Sequence, residues 1–390
     1  MILTNDQENA INICKRNFNY RVPYTIITGY AGSGKSTLIP FIISALNLDP
    51  RTEVAYISYT GKAALVMASK GCYGAMTSHR LLYDTVPLPN GGFRHIPKKY
   101  IGGYKLVIVD EVSMLPKEIW ELLLTHKIPV IAFGDPGQLP PVKSEDNGML
   151  DHPDYFISEI VRQAQDNEII RLSMDIRQQK PLSKYKGEQI QIIDPSDVIS
   201  GMYVWADQII CAKNATRKAI NQDTRKLLYN VEDTVPIEGD KVICLTNYWD
   251  EVNGICDPLV NGTTGTISYI RTYEEKKFHP ALKFDLLPDG FEINNPTGDP
   301  YYNNIFADYK LLTTGEPTIT IENWTQFKND KRPREFDYGY AITCWKAQGS
   351  EYDKILVFEE DFPFNAEEHQ RFLYTAVTRA RQKLVLVRKN

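Results

Sequence analysis

Residues 24–45 constrain the fold of this chain more than any other stretch. The apolar run "YTIIT" (24–28) leads into the glycine-rich "GYAGSGKST" (29–37), and a helical pattern, "KSTLIPFIISALNL", follows at once. Glycines let backbone N–H groups turn inward toward an anion, at the start of a helix whose dipole favours negative charge. This order of strand, loop and helix matches the phosphate-binding pattern G-x-x-x-x-G-K-[ST] and predicts an α/β fold on a parallel sheet.

In this pattern, Lys35 is expected to reach the β- and γ-phosphates of a nucleoside triphosphate, and Ser36 to ligate Mg²⁺. The loop residues expected to cradle the phosphates are Gly29, Gly32, Gly34 and Thr37. The alternative is a chance glycine-rich turn, which the strand before it and the helix after it disfavour.

Three further apolar runs predict more strands of the same sheet. They are "EVAYIS" (53–58), "YKLVIVD" (104–110) and "IPVIAFG" (128–134). None alternates apolar and polar residues, which indicates strands buried on both faces, as in a parallel sheet. A helix is predicted over "GKAALVMASK" (61–70). Because ligands bind at the carboxyl ends of parallel strands, the residues that follow these runs are the first candidates for a site.

The run 104–110 ends in two acidic residues suited to nucleotide hydrolysis. Asp110 can hold Mg²⁺, and Glu111 can orient and deprotonate an attacking water. A glutamate beside the metal-binding aspartate favours hydrolysis over transfer of the phosphoryl group to a substrate alcohol. The alternative is a solvated acidic end of a strand.

The run 128–134 ends in the turn "GDPGQLPPV" (134–142), which its prolines and glycines stiffen. This strand is expected to end beside the γ-phosphate, at the same edge as the phosphate loop. Gln138 is a neutral donor and acceptor there, suited to detecting whether that phosphate is present. The alternative is a plain proline-rich loop.

Two arginines are candidates to complete the site from a second lobe. Arg379, in "YTAVTRARQ", is predicted on a C-terminal helical stretch, and Arg162, in "SEIVRQ", is predicted to begin that lobe. A guanidinium on a second body reaches the transition-state charge only when the lobes close, and such an arginine finger contributes about 10³ to 10⁵ in rate. The alternative for each is a surface salt bridge, and Arg381 competes with Arg379 for the role.

The rest of the chain divides by composition. Residues 86–97 carry an Asn-Gly hairpin signal and predict a small excursion from the first lobe. Residues 155–232 are predicted to be helical with one strand, around "ADQIICA". Short strand-like runs separated by Gly, Asn and Pro fill 236–335 and predict a small barrel, after which the α/β pattern resumes. The chain is therefore predicted to form two α/β lobes, the second interrupted by a β insertion.

Net charge does not by itself indicate a nucleic-acid partner. The 390 residues carry a formal net charge of −5 with a pI of about 5.8. Basic residues that bind a polyanion must then be concentrated in one cleft. The candidates for such a groove are Lys62, Lys98, Lys99 and Lys346.

Composition also bears on location. No segment approaches the roughly 18 consecutive apolar residues needed to span a bilayer. The N-terminal "MILTNDQENAINICKR" lacks the basic leader and apolar stretch of a secretory signal. None of the six cysteines stands in a C-x-x-C pair or at zinc-finger spacing, so they are interpreted as reduced thiols. We expect a cytoplasmic protein, in the host cell if the source is viral, without a membrane partner.

The order of the motifs resembles one family over most of the chain outside the β insertion. In chain order the motifs are "LTNDQ" (3–7), "GYAGSGKST" (29–37), "SYTGKAA" (58–64), "TSHRLL" (77–82), "VDEVSM" (109–114), "GDPGQLPPV" (134–142), "EIVRQ" (159–163), "YAITCWKAQGSE" (340–351) and "YTAVTRAR" (374–381). A P-loop alone is a weak signal, whereas "GDPGQLPP", "KAQGSE" and "VTRAR" in that order are specific. The chain is similar to the superfamily 1 DNA helicases of the RecD/Dda-like branch.

This resemblance implies a domain arrangement. It comprises two RecA-like parallel-sheet lobes, with a β-hairpin pin on the first and a small Src-homology-3-like β-barrel inserted in the second. The implied boundaries are 1–160 for the first lobe with its pin near 83–102, 161–235 and 336–390 for the second lobe, and 236–335 for the insertion.

The resemblance also implies residue roles. Gln7 would hydrogen-bond adenine and give a preference for ATP, and Phe93 would act as a strand-separating wedge on the pin. Gln348, Gly349 and Glu351 lie in the motif that links the DNA and nucleotide sites of related proteins. Contacts to single-stranded DNA are implied for Thr60, Lys62, Thr77, His79, Thr343 and Trp345.

One position departs from the family pattern. Members usually carry a histidine before the Lys-x-Gln-Gly of "TCWKAQG", where this chain has Trp345. An indole offers a larger stacking face without a titratable nitrogen, and stacking of a base on an aromatic ring contributes about 1–3 kcal/mol. Trp345 could therefore still contact single-stranded DNA by stacking on a base, but it offers no charge. The alternative is that Trp345 is a buried packing residue.

Motifs and resemblance together predict an ATP-dependent DNA helicase and translocase that uses ATP and Mg²⁺ and functions as a monomer. The resemblance implies 5′→3′ movement along single-stranded DNA and action at junctions of single- and double-stranded DNA. A single-strand binding protein and replication or recombination proteins are the candidate protein partners. A role in phage DNA replication, repair or recombination fits this prediction.

Two other classes of function stay open at this point. A P-loop enzyme that acts on a small molecule, such as a nucleotide kinase, would not need Arg379 on a second lobe. A non-catalytic nucleic-acid-binding module with a relic P-loop is hard to reconcile with the presence of Lys35, Ser36, Asp110 and Glu111.

Overall fold

The structure is a computed structural model of the chain. It describes residues 3–87, 93–140, 148–160, 167–253, 258–276, 279–289, 300–317, 333–360 and 365–388. Two compact units are present, one formed by Met1–Asp84, Pro97–Ala212 and Cys344–Asn390, the other by Thr85–Ile96 and Lys213–Thr343. The boundaries predicted for the lobes, pin and insertion stay predictions.

The first unit contains a parallel sheet covered by helices, with all elements numbered in chain order. Its helices are α1 (Asn5–Asn19), α2 (Ile39–Ala45), α3 (Gly61–Ser69), α4 (Ser78–Leu82) and α5 (Lys117–Thr125). Its strands are β1 (Tyr24–Gly29), β2 (Val54–Ser58), β3 (Met76–Thr77), β6 (Leu106–Val109), β7 (Val130–Gly134) and β8 (Tyr155–Ile157). Between β3 and β6 in the chain comes a hairpin of β4 (Tyr83–Pro87) and β5 (Phe93–Pro97), of which Thr85–Ile96 belong to the second unit. The strand order is β3-β2-β6-β7-β1-β8, with every neighbouring pair parallel.

The central strands are buried because both faces of the sheet are covered. Every residue of β2, β6 and β7 is buried. Ile27, Tyr56 and Phe133 pack with α1 and α2 on one face, and Val107 packs with Trp120 of α5 on the other. This arrangement confirms the predicted parallel sheet. Because β7 lies between β6 and β1, the carboxyl ends of these three strands are adjacent.

The first unit also holds a second sheet. Its strands are β9 (Tyr185–Lys186), β10 (Ile190–Ile193), β11 (Gln208–Cys211), β20 (Tyr352–Phe358) and β21 (Ala380–Val387). Their order is β11-β20-β21-β10-β9, and only the β9–β10 pair is antiparallel. The helices of this part are α6 (Glu168–Arg177), α7 (Ser200–Trp205), α10 (Cys344–Ala347) and α11 (Ala366–Val377).

The second unit is mainly antiparallel. It contains β12 (Lys241–Cys244), β15 (Thr264–Lys276), β16 (His279–Pro288), β17 (Tyr302–Asp308) and β18 (Phe336–Tyr338), in the order β17-β16-β15-β12-β18. The remaining elements are the β13 (Tyr248–Val252) and β14 (Pro258–Leu259) pair, β19 (Ala341–Thr343), α8 (Asn214–Tyr229) and α9 (Tyr309–Thr314). Phe284 and Phe336 pack edge to face in its core. Short strands are therefore observed among the described residues of 236–335, the strand-like run "TITIENW" (318–324) lies outside the described residues, and closure into a barrel stays a prediction.

The structure corrects three local predictions. Residues 155–232 contain β8, β9 and β10 besides the one predicted strand; each has only two to four residues, too few for a periodic pattern, and β8 and β10 pair with distant strands. The helix predicted from Lys35 begins as a 3₁₀ turn, Lys35–Leu38, after a left-handed Gly34. The helix predicted to carry Arg379 ends at Val377, because pairing of β21 with β20 begins at Ala380.

The structure also bears on membrane-spanning helices and on the state of the cysteines. In the part of the chain that the structure describes, no helix has both the length and the apolar character to cross a membrane. The described cysteines are buried free thiols, at positions 14, 72, 211, 244 and 344. Cys256 lies outside the described residues.

Candidate nucleotide site

The glycine-rich loop joins β1 to the 3₁₀ turn. Gly32 and Gly34 adopt φ of 83° and 75°, which side chains other than glycine rarely tolerate. A Cβ at Gly29 would lie 2.6 Å from Ser33 Oγ. Local geometry therefore requires glycine at these positions, in agreement with a phosphate-binding loop.

Lys35 lies over this loop. Its Nζ donates to the carbonyl oxygens of Gly29 and Tyr30 at 2.6 and 3.0 Å, and it lies 3.9 Å from Asp135 Oδ2. Asp135 directly follows β7, so the lysine connects the ends of two neighbouring strands. Thr37, by contrast, is exposed and donates through Oγ1 to the Gly34 carbonyl.

Ser36 and Asp110 come together although they are far apart in the sequence. Ser36 Oγ donates to Asp110 Oδ2 at 3.0 Å. Mg²⁺ is usually held by one or two carboxylates together with substrate phosphates, so this pair of oxygen donors fits a magnesium ion. Across the described ranges, no group of three or more His, Cys, Asp or Glu residues is arranged to hold a metal ion, so the predicted site rests on the serine and the aspartate.

Glu111 occupies an unusual backbone conformation directly after Asp110. Its φ is 53°, and its N–H donates to Asp110 Oδ1 at 3.0 Å. Its Oε1 lies 3.7 Å from Arg379 Nη1, whereas Oε2 is buried without a hydrogen-bond partner among the described residues. Burial raises the pKa of Glu111, opposed by the charge of Arg379. A carboxylate with a raised pKa and an unbonded oxygen is suited to accept a proton from water.

Arg379 and Arg381, the two candidates for the arginine finger, have different surroundings. Arg379 is 6% exposed, and its Nε and Nη2 donate to the Thr375 carbonyl and to Thr378 Oγ1 at 3.1 and 3.3 Å. Its guanidinium is thus held by the last turn of α11 and faces Glu111. Arg381 is 55% exposed and pairs with Asp353 at 2.8 Å. Arg162 lies outside the described residues.

The turn after β7 contacts α11 and the segment that follows α10. Asp135 Oδ1 accepts from Gly137 N at 2.9 Å, which closes the turn. Leu139 N donates to Thr375 Oγ1 at 3.0 Å, and the Leu139 carbonyl accepts from Gln348 Nε2 at 3.1 Å. Gln138 lies within this clamped turn, 8% exposed, and its Oε1 has no hydrogen-bond partner in the described ranges.

Gln7 connects α1 to the phosphate loop. Its side chain is 1% exposed, accepts from Thr4 N and donates to the Ser33 carbonyl, both at 3.1 Å. The structure therefore places Gln7 beside the loop, with both ends of its amide in hydrogen bonds within the chain.

The motif after Trp345 packs against α3. Gly349 has φ of 74°, and a Cβ there would lie 2.6 Å from the Cβ of Ala63. Gln348 is buried, whereas Glu351 is exposed.

Two residues implied in DNA contact begin helices. Thr60 and Thr77 are the N-caps of α3 and α4, accepting through Oγ1 from Ala63 N and Arg80 N at 3.2 and 3.3 Å. An N-cap of this kind contributes about 1 kcal/mol to helix stability. These threonines therefore have a structural role in this chain, whatever they bind.

The other implied DNA contacts lie at varied depths. His79 lies between the rings of Tyr59 and Tyr83, at centroid distances of 5.8 and 5.6 Å. Lys62, Trp345 and Lys346 are half-buried, and Thr343 is buried. Lys98 donates to the Arg80 carbonyl at 2.9 Å, and Lys99 is exposed. The side chain of Phe93 and the Asn-Gly turn before it lie outside the described residues.

Two side chains at this site are not among the residues that the sequence predicts to be functional. Tyr374 is fully buried; its hydroxyl accepts from Ala31 N at 2.8 Å and donates to Asp135 Oδ2 at 2.7 Å. The guanidinium carbon of Arg177, at the end of α6, lies 3.2 Å from the centroid of the Tyr30 ring. Tyr374 stands in the quoted motif "YTAVTRAR", which could have indicated it, whereas no motif contains Arg177.

Models of two protein families match the chain. An AAA domain matches residues 3–200, and a UvrD-like helicase C-terminal domain matches residues 338–387. The first match covers the first sheet and the start of the second, and the second match covers the segment that contains Arg379.

Two characterised relatives are similar along most of the chain. The ATP-dependent DNA helicase dda of Enterobacteria phage T4 is 29% identical over 442 residues, which cover 99% of each protein. The ATP-dependent RecD2 DNA helicase of Deinococcus radiodurans is 35% identical over 381 residues, which cover 92% of this chain and 46% of that protein.

Solved structures show the same fold at lower identity. The Bacteroides Pif1 helicase in complex with ADP-AlF3 and single-stranded DNA has a TM-score of 0.58 at 18% identity, covering 99% of this chain and 92% of that one. A Pif1 helicase from a structure of unwinding at forked double-stranded DNA has a TM-score of 0.57 at 19% identity, with the same coverage. These structures show that the chain has a RecA-like α/β fold. The family model over residues 3–200 and the two relatives show that it belongs to the AAA-domain family and to the superfamily 1 DNA helicases of the RecD/Dda-like branch.

Proposed function

We propose that this chain, as an ATP-dependent DNA helicase, moves along single-stranded DNA in the 5′→3′ direction and unwinds duplex DNA at junctions. The observation that carries ATP-driven movement is the approach of Arg379 Nη1 to Glu111 Oε1, 3.7 Å apart, whereas the proposed direction rests on the resemblance to the RecD/Dda-like branch. Glu111 follows β6 of the first sheet, and Arg379 precedes β21 of the second. A catalytic carboxylate and an arginine from two sheets at one nucleotide site allow hydrolysis to change how the sheets are held together.

The chemistry divides among the chain's own residues. The phosphate loop and Lys35 bind the β- and γ-phosphates, and Ser36 with Asp110 would hold Mg²⁺. Bound Mg²⁺ would neutralise charge on the phosphate oxygens. Glu111 orients the attacking water and accepts its proton, while Arg379 stabilises the negative charge that develops on the transferred group.

The turn after β7 supports a link from hydrolysis to movement. Gln138 lies between Asp135, near Lys35, and Leu139, which is hydrogen-bonded to Thr375 and Gln348. Loss of the γ-phosphate would alter the contacts of Gln138 and, through this stiff turn, those of the second sheet. Alternating grips on the DNA backbone would then produce stepwise movement.

The relatives support ATP as the nucleotide and DNA as the nucleic acid on which the chain acts. T4 dda and RecD2 are named as ATP-dependent DNA helicases, and the Pif1 structures contain single-stranded or forked DNA. We propose that the candidate DNA contacts are Thr60, Lys62, Thr77, His79, Phe93, Thr343 and Trp345. The proposal includes function as a monomer in the cytoplasm, with a single-strand binding protein or replication and recombination proteins as partners.

The deciding experiment compares ATP hydrolysis with and without a single-stranded oligonucleotide. We expect the wild-type chain to be stimulated by DNA, and Lys35→Ala to lose turnover while keeping strand binding. An equal rate of hydrolysis with and without DNA would favour an enzyme that acts on a small molecule. A wild-type chain that binds DNA without hydrolysing ATP would favour a binding module.

Direction needs a separate assay. Duplexes that carry a single-stranded tail at only the 5′ or only the 3′ end separate the two polarities. We expect the 5′-tailed duplex to be unwound and the 3′-tailed duplex to stay intact. The reverse preference would contradict the proposed direction and leave the ATPase proposal standing.

A further inference from the structure

We propose that Tyr374 is a positioning residue for ATP hydrolysis: its hydroxyl loses its hydrogen bond to the phosphate loop when nucleotide binds, and this loss shifts Asp135 and Arg379. This inference rests on the proposed ATP hydrolysis. It is carried by the two hydrogen bonds of one buried hydroxyl and by the place of Tyr374 on α11.

The hydroxyl of Tyr374 joins two parts of the nucleotide site. It accepts from the backbone N–H of Ala31, in the phosphate loop, at 2.8 Å, and donates to Asp135 Oδ2 at 2.7 Å. Asp135 Oδ2 also lies 3.9 Å from Lys35 Nζ. A single oxygen on α11 is therefore bonded to the glycine-rich loop and to the carboxylate that lies 3.9 Å from Lys35.

The bond to Ala31 is one that nucleotide would have to replace. Backbone N–H groups of a P-loop turn inward on phosphate oxygens. A backbone N–H has one proton to donate, so a phosphate oxygen and the Tyr374 hydroxyl are alternative acceptors for Ala31. Phosphate binding at this amide would leave Tyr374 bonded to Asp135 alone.

Close packing around the Tyr374 ring restricts the positions that its side chain can take. The side chain is fully buried, and a Cβ at Gly137 would lie 2.8 Å from its Cε1. Leu139, two residues beyond Gly137, is bonded to Thr375, the residue after Tyr374. The turn that contains Gln138 therefore packs directly on this tyrosine.

The same helix holds the arginine. Arg379 lies five residues beyond Tyr374, and its Nε donates to the Thr375 carbonyl. A small shift of the Tyr374 hydroxyl is transmitted through the last turn of α11 to the guanidinium beside Glu111. Tyr374 thus couples occupancy of the loop to the position of Arg379.

The test is Tyr374→Phe, which removes only the hydroxyl. Because the competing acceptor is lost, affinity for a fluorescent ADP analogue should rise by about 3-fold, within the 2- to 12-fold that one hydrogen bond allows. Because Arg379 is less well held, kcat of DNA-stimulated hydrolysis should fall about 10-fold, the effect of roughly 1.4 kcal/mol. Tighter binding with slower turnover is a combination that general loss of structure does not produce.

Tyr56→Phe is the matched control. Tyr56 is equally buried, in β2, and its hydroxyl has no hydrogen-bond partner in the described part of the chain. Removing that oxygen should leave nucleotide affinity and kcat unchanged. A double-mutant cycle of Tyr374→Phe with Asp135→Asn should be non-additive in kcat, because the two side chains share one bond.

The outcomes separate this inference from the proposed function. Weaker ADP binding together with a lower melting temperature in Tyr374→Phe would mean a structural role and would overturn the inference, as would wild-type behaviour. Absence of hydrolysis by the wild-type chain would instead contradict the proposed function. The binding assay does not depend on hydrolysis, so an unchanged or weakened affinity counts against Tyr374 in either case.

Discussion

At the scale of the residue, the environment of Glu111 decides what this carboxylate can do. Removing its charge by Glu111→Gln should lower kcat of ATP hydrolysis by about 10² to 10⁴, the usual contribution of a general base. The same change should not destabilise the protein near neutral pH, because burial raises the pKa of Glu111 and the ionised form therefore costs folding free energy. Steady-state kinetics and thermal melting of both proteins test this prediction.

The sign of the pH dependence follows from the same shift. Only the ionised carboxylate accepts a proton, so hydrolysis should be lost as pH falls through the raised pKa of Glu111, above the ordinary value of about 4.3. The stability difference between Glu111→Gln and wild type should shrink over the same interval, because both side chains are then neutral. A melting temperature lower than wild type for Glu111→Gln at pH 8 would contradict this account.

The two arginines near the C-terminus provide a matched pair. Arg379→Ala should reduce kcat by about 10³ to 10⁵, because its guanidinium faces Glu111. Arg381→Ala should change kcat little, because that side chain is 55% exposed and pairs with Asp353 at the surface. DNA-stimulated ATPase rates of the two variants measure the difference. Similar losses in both would mean that neither arginine acts as the finger.

At the scale of the element, the hairpin of β4 and β5 is the candidate strand separator. Phe93→Ala at the start of β5 should impair duplex unwinding more than DNA-stimulated hydrolysis, because a wedge acts on base pairs and not on the nucleotide. Rates of both reactions on the same forked substrate test this prediction, with Arg94→Ala, the exposed neighbour in β5, as the control for general disruption of the hairpin. Equal losses of the two activities in Phe93→Ala would rule out the wedge.

The sequence predicts some helices and strands better than others. Those defined by a local pattern are predicted, whereas those that depend on pairing with a strand distant in the chain are missed. The strand, loop and helix around Lys35 follow from a local pattern of apolar residues and glycines. Strands β8 and β10 exist because they pair with β1 and β21, which lie more than a hundred residues away in the chain. Such short segments carry no periodicity of their own, so the sequence pattern of their region predicts helices with a single strand.

At the scale of the whole molecule, net charge and DNA binding need to be reconciled. A net charge of −5 does not prevent a local cluster of basic residues from holding phosphates. Strand binding should weaken with added salt, with a logarithmic slope of about −0.7 per phosphate neutralised. Titration of a labelled single strand at several salt concentrations measures this slope. A slope near zero would show that contacts to bases, and not to the backbone, dominate binding.

The sequence by itself determined the chemistry available to this protein, because the phosphate loop, the acidic pair after β6 and the order of the motifs are local patterns. The tertiary structure alone decided how those parts meet. It places Arg379 rather than Arg381 beside Glu111, joins Ser36 to Asp110, and sets the hydroxyl of Tyr374 between the loop and Asp135. These contacts join residues tens to hundreds of positions apart in the chain. Pairing of strands within the first sheet brings Ser36 to Asp110, and packing of the two sheets in the first unit brings Arg379 and Tyr374 to the site.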